Sequence, residues 1–232
     1  MHTKSLRAPA GRTAGRVAGT LAAGGTAALL TSWAAGRLVQ REPVARSGRA
    51  LYEFCRRHRS ARLTRRMDTA TTLGDYGVIG SFSVLVGGLL AYQRRSWRPL
   101  PLLAGGVVSE VYLQKAIKKL VRGSLPPSEL SIGPPGDYPS GGAARTVIVF
   151  GLLAHLLAQE WPRCAERSAL WSIAAVLVAA QGGSRLYLGR HWPEDVAGGW
   201  LLGVLILATL ITADGAVPAV AAGRPAALSP GR

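Results

Sequence analysis

The sequence predicts an all-α fold, a polytopic membrane helical bundle with six transmembrane helices, or five if the first apolar segment is a cleaved signal. Three observations predict it. Apolar residues make up 48% of the 232-residue chain, and they fall into blocks of about twenty, the length needed to cross a bilayer core. The joints between blocks are basic or rich in Pro and Gly. Aromatic residues are only 6%, and Gly, Ala, Leu and Val dominate, as suits helices that approach one another closely in lipid. The mean hydropathy of +0.20 reflects long polar ends.

Residues 1–17 contain no acidic residue and read as a disordered basic tail. Residues 18–36 are weakly apolar, either a first span or a signal-like segment ending in Trp33-Ala34-Ala35. Residues 37–68 hold ten arginines, at 37, 41, 46, 49, 56, 57, 59, 62, 65 and 66. Leu51, Phe54 and Cys55 recur there at helical spacing, which predicts an amphipathic interfacial helix, with a solvated basic loop as the alternative. Residues 18–69 thus pair a weak first span with an Arg-rich interfacial segment.

The membrane core is expected over 70–213. Spans are read at 70–93, 99–121, 143–161, 168–187 and 193–213. The basic turn from Arg94 to Arg98 separates the first two, and the link 162–167 separates the fourth from the third. Between 122 and 141 the prolines at 126, 127, 134 and 135 exclude a continuous helix. Pro193 suits a first helical position, with Glu194 and Asp195 in the favourable first turn. Gly199 and Gly203 offer a close packing face. Trp33, Trp97, Trp161 and Trp192 lie near span ends, as interfacial anchors do. Residues 214–232 read as a second disordered tail.

The formal charge of +16 fits contact with anionic lipid headgroups. No recognisable nucleic-acid-binding module accompanies the charge, so no nucleic-acid partner is expected. Cys55 and Cys164 have neither redox nor zinc spacing and read as free thiols. With the N-terminus, the 94–98 turn and the 162–167 link on the cytoplasmic side, 122–141 and 185–195 come out together on the far face. The arginines of 37–68 run against that orientation by the positive-inside trend.

The chemistry concentrates in Ser184-Arg185-Leu-Tyr-Leu-Gly-Arg-His191-Trp-Pro-Glu-Asp195, with spacing R-x5-H-x3-D. Phosphoryl transfer is mostly positioning and stabilisation of charge on the phosphoryl oxygens. Arg185 can grip two oxygens through its fork. His191 can attack phosphorus. Asp195, one helical turn on, can hold the other imidazole nitrogen and fix the tautomer. Upstream, Ser140 and the backbone N–H groups of Gly141 and Gly142 stand at a loop-to-helix junction, where unpaired amides bind anions. Glu110, Gln114 and Lys118 form a polar stripe expected to support this site. His155 lies too deep to take part, and Asp75 is read as a cap or polar contact without a catalytic role.

These motifs resemble the phosphatidic acid phosphatase type 2 superfamily, whose signature is K-x6-R-P, then P-S-G-H, then S-R-x5-H-x3-D on one membrane face. The resemblance spans roughly residues 70–213. The third motif is complete as Ser184, Arg185, His191 and Asp195. The second is present as Pro139, Ser140 and Gly141, with Gly142 in place of histidine. In the first, Lys118 leads to Leu125-Pro126, so the arginine is lost; the register from Lys115 to Arg122 keeps it but loses the proline.

The resemblance implies that His191 is the nucleophile, that Asp195 orients it, and that Lys118, Ser140, Gly141 and Arg185 contact phosphate. Gly142 at the helix start and Arg122 as a replacement arginine complete the candidate phosphate site. It supplies no general acid, a loss that commonly costs about 10²–10⁴-fold. The loss matters less when the leaving group is itself a phosphate. The expected function is therefore an integral membrane phosphatase of lipid phosphates or pyrophosphates, working through a phosphohistidine, with no cofactor or metal. It would sit in a bacterial plasma membrane with its active face outside. The alternatives are a catalytically impaired relative that binds lipid phosphate or a partner protein, and a basic surface binder using 37–68.

Overall fold

A computed structural model describes residues 10–39, 42–122, 138–160 and 163–217. Eight α-helices follow one another among them: α1 Ala10–Val39, α2 Glu42–Arg57, α3 Ala61–Thr71, α4 Tyr76–Arg94, α5 Pro99–Arg122, α6 Gly141–Ala158, α7 Cys164–Tyr187 and α8 Pro193–Gly215, with a single 3₁₀ turn at Thr72–Gly74. No strand occurs among the described residues, so the all-α expectation holds.

The bundle is built around α6, in which 15 of 18 residues are buried. Its small residues allow this. A Cβ on Gly151 would collide with Leu207 of α8, and one on Gly203 of α8 would lie 2.7 Å from the Ala144 carbonyl. Each glycine lets the other helix come close, as in helix packing within lipid. Helices α5, α7 and α8 also pack on α6, and α1 lies along α8 and α5. Ile148, Leu152, Leu156, Leu202, Leu103 and Ile117 are sealed in the core between them.

Four helices, α4, α6, α7 and α8, are long and apolar enough to cross a membrane. Helices α1 and α5 have the length, with 30 and 24 residues, but α1 is only weakly apolar and α5 carries five charged residues. The outer helices expose apolar surface such as Val84, Leu85, Ile173 and Val176, as expected of faces turned to hydrocarbon. The protein is an integral membrane helical bundle.

The structure moves several boundaries. Helix α1 begins at Ala10, inside the stretch expected to be a tail. The expected span 70–93 starts at Tyr76, because Asp75 is extended and breaks the chain between the 3₁₀ turn and α4. The Arg-rich segment forms two helices, α2 and α3, joined at 58–60. Asp214, assigned to the C-terminal tail, is buried in the last turn of α8. Residues 1–9, 40–41, 123–137, 161–162 and 218–232 lie outside the described residues. Leu125, Pro126 and Trp161 fall among them.

Candidate active site

The second motif is a helix start. Ser140 is the N-cap of α6 and is fully buried, and Gly141 begins the helix. The first amides of a helix have no partner within it, so the N–H groups of Gly141 and Gly142 present a ready anion site. The loop before them is fixed from three sides. Gln114 donates its side-chain N–H to the Pro139 carbonyl at 3.1 Å, and Ser140 N–H donates to the Asp195 carbonyl at 2.9 Å. The Tyr138 hydroxyl donates to the Ser32 carbonyl at 3.0 Å. Burial, with the Asp195 charge adding to it, pushes the Tyr138 phenol up to about 12, so it stays a donor. Gly199 lets α8 press against the Ser140 carbonyl, where a Cβ would not fit.

The third motif begins on the last turn of α7 and ends on the first turn of α8. Between them Leu188 N–H donates to Ser184 O at 2.9 Å, Gly189 N–H to Leu186 O at 3.0 Å, and Arg190 N–H to Arg185 O at 2.9 Å. Gly189 adopts φ 69° to close this turn, a left-handed conformation that glycine takes without cost. His191 emerges from the loop with its side chain 16% exposed, and its Nδ1 stands 3.6 Å from Asp195 Oδ2. That distance is an ion-pair approach, beyond a hydrogen bond. Asp195 Oδ2 instead accepts the Trp192 N–H at 3.1 Å, capping α8.

The structure brings the two half-motifs together. A Cβ placed on Gly142 would lie 2.7 Å from Arg185 Nη2 and 2.9 Å from Gln181 Nε2. The position that carries histidine in the resembled signature is therefore occupied from the side by the Arg185 guanidinium and the Gln181 amide. Arg185 is held there by Asp75, with Nη2 to Oδ1 at 3.2 Å. Asp75, read from the sequence as a cap or polar contact, is both: it is the N-cap residue of α4 and the partner of Arg185.

Of the first motif, Lys118 is half-buried while Lys115 and Lys119 are exposed. The Lys118 register thus faces the bundle on the side of Gln114, and the Lys115 register faces away. Arg122 ends α5, and its side chain lies outside the described residues. The polar stripe on α5 does underlie the site, but its main partner is unforeseen. Glu110 pairs with Arg145 of α6 at 3.4 Å, and the Arg145 guanidinium lies 3.4 Å from the Tyr76 ring centroid.

Several buried polar atoms here have no hydrogen-bond partner: Ser140 Oγ, both Gln181 amide atoms, Arg185 Nε and His191 Nδ1. Buried donors and acceptors are costly to leave unpaired, and these border one mouth. Sequence reading missed Arg145 and Gln181. The available signal was an ionisable or amide side chain inside an apolar run. Trp192, expected as a membrane anchor, instead packs on the Tyr52 ring at 5.3 Å between centroids. His155 lies near the opposite end of α6, beside Asp214. Among the described residues no three His, Cys, Asp or Glu side chains come together as a metal-ligand set.

Comparison with known proteins bears on the family and the fold. The sequence model of the PAP2 superfamily matches residues 100–216. The chain is similar to phosphatidylglycerophosphatase B of Bacillus subtilis, with 29% identity over 143 residues, 60% of this chain and 70% of that protein. In three dimensions it is similar to the crystal structure of a transmembrane PAP2-type phosphatidylglycerolphosphate phosphatase from Bacillus subtilis. That match has a TM-score of 0.72 at 22% identity, covering 84% of this chain and 97% of that one.

Proposed function

The chain belongs to the PAP2 superfamily, and from that premise we propose that it is an integral membrane phosphatase acting on lipid phosphates or pyrophosphates through a phosphohistidine at His191. The observation that carries this reading is the meeting of Arg185, at the end of the third-motif helix, with the N-terminus of α6 at Gly142. The similar Bacillus protein, named a phosphatidylglycerophosphatase, supports a phosphate-bearing lipid as substrate. The site faces the outside of a bacterial membrane in this reading.

Arg185, the Ser140 hydroxyl and the first amides of α6 hold the phosphoryl oxygens, while Lys118 adds positive charge from α5. With Nδ1 turned to Asp195, the His191 Nε2 lone pair attacks phosphorus and the bond to the leaving oxygen breaks. Asp195 steadies the cationic imidazole that results. Water then attacks the phosphohistidine, releases inorganic phosphate and returns the electron pair to Nε2. Gly142 offers no proton to the leaving oxygen, so a phosphate leaving group, which departs as a stable anion, suits this site better than a lipid alkoxide. A polyprenyl pyrophosphate fits that preference.

One observation favours a second reading, a binding protein with weak or absent catalysis: the Arg185 fork is already engaged by Asp75. Phosphate release in detergent from a polyprenyl pyrophosphate, a phosphatidate and a lysolipid phosphate separates the two. The phosphatase reading predicts fastest release from the pyrophosphate, and a relative gain on the monophosphates in Gly142→His, once Arg185 and Gln181 shift to admit the ring. Equal, background-level release by wild type and His191→Ala on all three substrates would leave the binding reading.

A further inference from the structure

The α2–α3 segment lies outside the matched family region, which begins at residue 100, yet it grips the loop that carries His191 on both sides. Before the histidine, Arg59 Nε donates to the Tyr187 carbonyl at 2.9 Å, and the Ser60 N–H donates to the Tyr187 hydroxyl at 2.9 Å. In the middle, Gly189 faces the segment so closely that a Cβ would lie 2.8 Å from the Tyr52 ring and 2.9 Å from Arg59 Nη2. Arg190, the residue before His191, pairs with Asp68 of α3 at 2.8 Å. Trp192, the residue after it, packs its ring on Tyr52. The Arg59 guanidinium, in the joint between the two helices, lies 5.9 Å from the Tyr52 ring centroid. Gly48 of α2 also meets the Glu194 carboxylate, one turn into α8.

We infer that the α2–α3 segment is a positioning clamp for the nucleophile loop, with Tyr52 and Arg59 as its principal positioning residues and Asp68 as a weaker latch. The inference rests on the reading of His191 as nucleophile. The loop between α7 and α8 has only its own turn hydrogen bonds and the capping bond at Trp192 to fix it from within. An attacking nitrogen must be held near 3–3.5 Å from phosphorus, and a displacement of about 1 Å can cost about 100-fold in rate. The contacts at 187, 189, 190 and 192 bracket residue 191 and remove that freedom. The Asp68–Arg190 pair is largely exposed, at 62% and 44%, so its share is small. The tilted Tyr52–Trp192 ring contact and the Arg59 bond to a main-chain carbonyl carry more.

The test uses the full-length protein in detergent and two readouts. One is phosphate release from a lipid pyrophosphate. The other is the rate of diethyl pyrocarbonate modification at His191, read peptide by peptide by mass spectrometry, which needs no turnover. Tyr52→Ala and Arg59→Met are expected to lower kcat by about 10- to 100-fold with KM within about threefold, and to change the His191 modification rate. Tyr52→Phe keeps the ring and is expected to match wild type in both readouts, which controls for a merely structural loss. Wild-type kcat and wild-type His191 reactivity in both Tyr52→Ala and Arg59→Met would overturn the clamp, as would a rise in KM at constant kcat. If wild type releases no phosphate at all, the phosphatase reading fails, while unchanged or altered His191 reactivity still decides the clamp.

Discussion

At the far end of the bundle Asp214 is buried and fully engaged, whereas at the mouth buried polar atoms stand with no hydrogen-bond partner. Arg98 closes on the Asp214 carboxylate and donates to its carbonyl at 2.5 Å. His155 and Gln159 reach the same carboxylate at 3.1 and 3.3 Å. At the mouth, by contrast, Ser140, Gln181, Arg185 and His191 all hold unpaired buried atoms. The two clusters lie at opposite ends of α6 and α8, about 30 Å apart at 1.5 Å per residue along α8. The satisfied cluster secures the fold, and in the proposed function the unsatisfied one receives the substrate phosphate.

Substitutions should therefore separate stability from activity according to the end they touch. The largest effect is expected from His191→Ala, which should lower phosphate release by about 10⁴-fold or more while leaving the detergent unfolding midpoint close to wild type. At the other end, Arg98→Ala leaves the buried Asp214 charge short of its main partner. It should cost about 3 kcal/mol of stability, read by thermal or denaturant unfolding, with phosphate release per folded molecule unchanged.

Gln181→Met sharpens the contrast. It removes two buried amide atoms that lack partners, so it should raise stability by about 1 kcal/mol while weakening phosphate binding. The same kind of replacement at Asp214 would destabilise. The smallest change is expected from Asp75→Asn. Its pair with Arg185 is half-exposed on the carboxylate side and so worth at most about 1 kcal/mol. Loosening it should lower KM by about threefold or less, because substrate phosphate no longer competes with a carboxylate for the guanidinium.

The third motif was legible in the sequence because its parts are local: a helix end, a short loop and a helix start within twelve residues. The helical bundle was legible from the length of the apolar blocks, and Pro193 marked the start of α8 correctly. Other features depend on partners distant in the chain. The loss of histidine at 142 was visible, but not that Arg185 and Gln181 would stand against that glycine. Arg145 and Glu110 lie 35 positions apart and become a pair only when α5 packs on α6. Asp214 read as tail because its neighbours resemble a chain end, and its partner Arg98 is 116 residues away. The Arg-rich segment suggested a membrane-surface role, while its contacts with Tyr187, Gly189, Arg190 and Trp192 required the fold.

The central claim, that the unpartnered groups at the mouth serve phosphoryl transfer to His191, is tested most directly by trapping the intermediate. Wild-type protein in detergent would be mixed with a polyprenyl pyrophosphate labelled on its terminal phosphate, denatured within milliseconds in alkali, and mapped by mass spectrometry. The account predicts an alkali-stable, acid-labile phosphoryl group on His191, absent from His191→Ala. Phosphate release with no label on His191, or equal labelling in His191→Ala, would contradict it.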